Sequence, residues 1–135
     1  MTPRTKWIPA LGFILGVLVL GIPYFFTAYS KLNLPEALNK PGLFVVAVAA
    51  AVTVGYGAKP FWKGLLLFSA VAPTVIMLRV VFDGIADPTS HNLWPFEVAI
   101  AVSASAPYAF FGAALGWIFF KLSGRQAALE ESARD

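Results

Sequence analysis

WIPALGFILGVLVLGIPYFFTA, from Trp7 to Ala28, runs for about six helical turns without a charged side chain. A bilayer core about 30 Å thick is crossed by about 20 apolar residues, within a range of roughly 17–25. The stretch has that length and that character. Arg4 and Lys6 precede it, as they would in a cleaved leader. The apolar run is longer than a leader core, and Thr27-Ala28-Tyr29-Ser30-Lys31 lacks a small-x-small cleavage site, so it reads as a retained first span over 7–28.

Three more stretches repeat the pattern. Residues 42–58 are uncharged and sit at the short limit for a span. Residues 64–82 are interrupted only by Arg79, and residues 96–120 carry a charge only at Glu97, near their start. The expected fold class is therefore an all-α membrane protein, an antiparallel bundle of four transmembrane helices with short loops. It forms a single domain over 1–135 with a polar tail from 122 to 135.

Composition supports this. Of 135 residues, 59% are hydrophobic and 13% charged, against about 45–50% and about 25% in soluble domains. A chain this short cannot hide so much apolar surface from water, so the lipid bilayer is the expected partner. There is no cysteine, which excludes disulfides, thiolate metal sites and cysteine nucleophiles. The net charge of +3 comes from basic residues beside apolar runs, where topology signals lie, and no nucleic-acid partner is expected.

Orientation follows from the flanks. With the N-terminus inside, Arg4, Lys6, Lys59, Lys63, Lys121 and Arg125 face the cytoplasm, and Lys31 and Lys40 face outward. The positive-inside rule thus gives N-in and C-in, in a plasma membrane of the bacterial inner-membrane kind. Trp7, Trp62, Trp94 and Trp117 fall near span ends, where an indole keeps its N–H wet and its ring in lipid. Pro41 and Pro95 suit the first turns of the second and fourth helices, and Asp87-Pro88-Thr89-Ser90 reads as a turn. In the tail, 126–134 has the pattern of a short helix with Glu130 and Arg134 at i,i+4, and Gly124 argues against continuity with the fourth span. The spans do not form an internal repeat: Pro23 and Pro73 lie at different depths and their flanks do not match.

Four features carry candidate function. Arg79, Asp83, His91 and Glu97 form a candidate polar cluster at the outer face. Arg79 is shallow enough to reach the interface and has Asp83 at i+4, so the cluster either pins the third and fourth spans or offers an anion or substrate site. Glu97 fits helix capping or proton coupling, and His91 fits a solvated loop or a pH sensor. Pro23, Pro73 and Pro107 are candidate kinks; nearby Ser69, Thr74, Ser103 and Ser105 either re-satisfy freed carbonyls or line a polar path. Gly12 and Gly16, and likewise Gly112 and Gly116, form GxxxG faces for helix packing, within the monomer or toward a partner.

The sequence has no serine–histidine–acid arrangement at a recognisable motif, no HExxH, no phosphate loop and no dinucleotide fingerprint. The expectation is a non-enzymatic structural or accessory subunit, without cofactor or metal, that self-associates as a homo-oligomer or joins a membrane-protein partner. The other reading is a small oligomeric transporter or channel with a polar path near spans three and four.

Overall fold

The computed structural model describes residues 6–27, 38, 40–86 and 93–132, with side chains of the last helix described as far as Gly124. The regular elements among them are helices: α1 (Ile8–Phe26), α2 (Lys40–Gly55), α3 (Phe61–Ser69), α4 (Val71–Ala86) and α5 (Trp94–Ser132). Ala70, with φ −79 and ψ −8, keeps a helical backbone between α3 and α4. The two therefore make one rod with a hitch, and the described residues form four rods. Three are long and apolar enough to cross a membrane: Ile8–Phe26, Phe61–Ile85 and Trp94–Gly124.

Local chemistry sets the boundaries. Pro9, Pro41 and Pro95 each occupy the second position of their helix, where a missing N–H has no helical partner to lose. The second apolar stretch ends at Gly55 rather than at residue 58, because the chain closes in a Schellman turn. The Gly57 N–H donates to the Val54 carbonyl at 2.9 Å, and the Ala58 N–H donates to the Thr53 carbonyl at 3.0 Å. Gly57 sits at φ +66, the left-handed conformation this cap requires. At 16 residues, α2 is about 24 Å long, shorter than the other rods. Pro60, extended at ψ 157, then opens α3 at Phe61, three residues before the expected start of the third span.

The tail differs from expectation. The helix that begins at Trp94 continues through Gly124 to Ser132. A helical glycine costs only about 1 kcal/mol relative to alanine, and nothing lies within 4 Å of a side chain built at Gly124. At Gly124 the helix is therefore uncrowded.

Small residues set the packing. Side chains built at Gly12 and Gly16 would meet Ala49, Phe68, Val46 and Val71 at 3.1–3.5 Å, so the α1 glycine face lies against α2 and the third rod. Built at Gly112 and Gly116, they would lie 2.0 Å from the Ala47 carbonyl oxygen and 2.3 Å from that of Ala51. These are backbone-to-backbone contacts, and only glycine permits them. Both GxxxG faces are thus occupied within the monomer.

The same pairs give direction. Residue numbers fall along α2 as they rise along α1, so α1 and α2 are antiparallel. They rise together along α2 and α5, so that closest pair is parallel. α1 and α5 lie on opposite sides of α2 and the third rod. The shared interior holds Leu20, Val46, Ala50, Phe68, Val75 and Ala109. The outer faces remain apolar: Leu11, Leu15 and Leu18 on α1, and Phe111, Leu115 and Ile118 on α5, are exposed. Continuous apolar surface on this scale marks contact with lipid or with another protein.

Candidate functional site

Arg79 lies on α4, two turns before its end. Its burial is nearly complete, at 5% exposure, and its fork of donors is taken up on three sides. Nε donates to Oδ2 of Asp83 at 3.0 Å. Nη1 donates to the Tyr24 carbonyl oxygen, and Nη2 donates to that of Thr27 at 2.8 Å. The guanidinium carbon also stands 4.9 Å from the centre of the Tyr24 ring, within range for a cation–π contact.

The two carbonyls belong to the C-terminal end of α1, where the helix dipole is negative and acceptors outnumber donors; the Tyr24 oxygen also accepts the Thr27 N–H at 3.4 Å. The Thr27 hydroxyl donates to the Pro23 carbonyl at 2.9 Å, closing another acceptor of the same turn. Arg79 therefore caps α1. The sequence suggested a head group reaching the interface and a cluster joining the third and fourth spans. The expected pair with Asp83 is present, and the remaining donors turn inward and tie the third rod to the first. Glu97 is buried in the first turn of α5, at the fourth helical position. His91 and the Asp87–Ser90 turn lie outside the described residues.

Pro73 accounts for a second polar contact. Its ring displaces the carbonyl four residues back and supplies no N–H to it. That carbonyl belongs to Ser69, where α3 ends. The Ser105 hydroxyl of α5 lies 2.9 Å from the Ser69 oxygen and 2.9 Å from the Ala101 oxygen, so its single hydrogen is shared between them. Ser105 thereby re-satisfies the freed group from a neighbouring helix. Thr74 and Ser103 donate back to Ala70 and Ala99 at 2.7 and 2.9 Å. The helix is interrupted near Pro73 and is continuous through Pro23 and Pro107.

Comparison with protein-family models, with curated proteins and with solved structures found no match. What this chain does is therefore to be read from its own geometry. Of the four side chains that could line a path between spans three and four, Ser69, Thr74, Ser103 and Ser105, the last three are turned onto backbone carbonyls. Among the described residues, no group of three or more His, Cys, Asp and Glu gathers where it could hold a metal ion.

Three features escaped the sequence reading. Tyr24 and Thr27 join Arg79 from a distant element, and no spacing within one segment announces that. Thr53 is fully buried on the core face of α2, and its Oγ has no hydrogen-bond partner among the described residues. Lys59 and Lys121, read only as topology signals, line one cleft at the far end of the bundle.

Proposed function

We propose that this chain crosses the membrane four times, with both termini in the cytoplasm, and acts as a non-enzymatic accessory subunit of a larger assembly in a bacterial-type inner membrane. The observation that carries the reading is the use made of the two buried polar side chains that bond across helices. Arg79 and Ser105 both donate to backbone carbonyls of a neighbouring helix. Arg79 caps one helix end and Ser105 serves a carbonyl that a proline has freed, the chemistry of a scaffold.

α2 is the span that length alone leaves open. Two features support its crossing: from Ala47 to Gly55 it lies against the glycine face of α5, and a turn of only a few residues leads from it into α3. Sidedness rests on charge. Lys6, Lys59, Lys63 and Lys121 collect at one end of the bundle and Lys40 stands at the other, which favours the lysine-rich end inside. Because the glycine faces are used internally, association would run through the apolar outer faces of α1 and α5.

Purification in mild detergent, followed by mass measurement and identification of co-purifying proteins, tests the role. A partner or a defined oligomer is expected, and a strict monomer that captures nothing from membranes removes the reading. Solute flux above that of empty liposomes would also overturn it. A C-terminal tag reachable only from outside intact cells would overturn the sidedness.

A further inference from the structure

A cleft of about 820 Å³ opens between the α2–α3 turn and α5, at the lysine-rich end. Its walls are apolar and aromatic, with Phe61, Trp62, Trp117 and Phe120 among them, and Lys59 and Lys121 stand in its lining. The Lys121 ammonium lies 5.8 Å from the centre of the Trp117 ring, which holds the charge beside the cleft rather than out in solvent. Both carboxylates whose side chains are described, Asp83 and Glu97, sit at the opposite end of the bundle. Among the described residues, the cleft's positive charge therefore has no acidic neighbour. α3 opens into the same wall, and no side chain caps its first N–H groups, so its positive dipole end adds to the field. The competing negative end, that of α2, is closed by the Schellman turn.

We infer that this cleft binds an anionic glycerophospholipid, its phosphate held between Lys59 and Lys121 and one acyl chain lying along the aromatic wall. Charge complementarity selects the headgroup, because basic pockets on the cytoplasmic side take anionic lipids. Wall chemistry selects a lipid over free phosphate: an ion would leave the rings of Phe61, Trp62 and Phe120 without an apolar partner. The size is within the range of small-ligand sites, about 300–1,000 Å³. The inference rests on the membrane reading above and on the lysine-rich end facing the cytoplasm.

The test is native mass spectrometry of the full chain released from nanodiscs of equal phosphatidylglycerol and phosphatidylcholine. Retained phosphatidylglycerol should exceed phosphatidylcholine. Lys59→Gln and Lys121→Gln should each lower that preference about fivefold, while Lys63→Gln, outside the cleft lining, should leave it unchanged. Ala114→Trp, which fills the cleft from the α5 side, should reduce total retained lipid with the lysines intact. Equal retention of the two lipids, a preference that survives the double lysine substitution, or displacement by glycerol phosphate at matched concentration would overturn the inference. So would a co-purifying polypeptide in place of lipid. Failure here with the C-terminal tag still cytoplasmic would count against the cleft alone and leave the four-span reading standing.

Discussion

The Nη2 group of Arg79 donates to the carbonyl oxygen of Thr27 across 2.8 Å, so a cation on the third rod closes the end of the first. Arg79→Ala should lower stability in detergent by about 1.5–3 kcal/mol, the range for hydrogen bonds involving a charged group, because the carbonyls at the end of α1 lose a charged donor. Arg79→Lys should recover only part, since an ammonium lacks the planar fork that serves three acceptors together. Asp83→Asn should cost less than about 1 kcal/mol, because the Asp83 side chain is 36% exposed and water screens the pair. Unfolding of the three variants in mixed micelles checks the order. An equal loss for Arg79→Ala and Asp83→Asn would mean that the ion pair, not the cap, is the source of the effect.

Ser105 and Pro73 should be energetically coupled. With Pro73 present, Ser105→Ala leaves the Ser69 carbonyl without its donor and should cost about 0.5–1.5 kcal/mol. With Pro73→Ala, residue 73 supplies its own N–H to Ser69, and the same serine substitution should cost much less. A double-mutant cycle measures the difference. Additive losses would show that Ser105 acts only through its bond to Ala101.

Gly112 and Gly116 should tolerate no side chain. A Cβ at either would lie well under 3 Å from the α2 backbone, and backbone cannot swing aside as a side chain can. Gly112→Ala should cost about 1–3 kcal/mol through overpacking, with a larger loss for Gly112→Leu. At Gly124 there is no neighbour within 4 Å, so Gly124→Ala should stabilise the last helix by up to about 1 kcal/mol. Thermal unfolding together with far-ultraviolet circular dichroism separates the two outcomes.

The helices were largely legible because a membrane crossing demands a coarse pattern, a long apolar run without charge, that the stretch at Trp7 meets throughout and the stretch at Phe96 meets after Glu97. The ends were less so. The Gly57 turn and Pro60 carry a C-cap and a helix start in their residue types, yet hydropathy passes over both. Gly124 misled, because one glycine is too small a penalty to break a helix that nothing crowds. Arg79 was visible as an anomaly, but its partners were not: Tyr24 and Thr27 lie more than fifty residues away, and only the packed bundle brings them together. The glycine faces were seen without their occupant, since the complementary surface on α2, Ala47, Ala51 and Gly55, belongs to an ordinary run of small residues.

Thr53 supplies the last prediction. Its hydroxyl is buried on the core face of α2 without a hydrogen-bond partner among the described residues, and an unsatisfied buried hydroxyl costs about 1–3 kcal/mol. Valine has nearly the same shape and no polar atom. Thr53→Val should therefore hold or raise stability, by up to about 1 kcal/mol after some loss of local fit. Thr53→Ala should lower it, because a methyl-sized void is left in the core. Equilibrium unfolding of both variants in the same micelles decides the matter: if valine costs as much as alanine, the hydroxyl is bonded in the membrane and its burial is not a penalty.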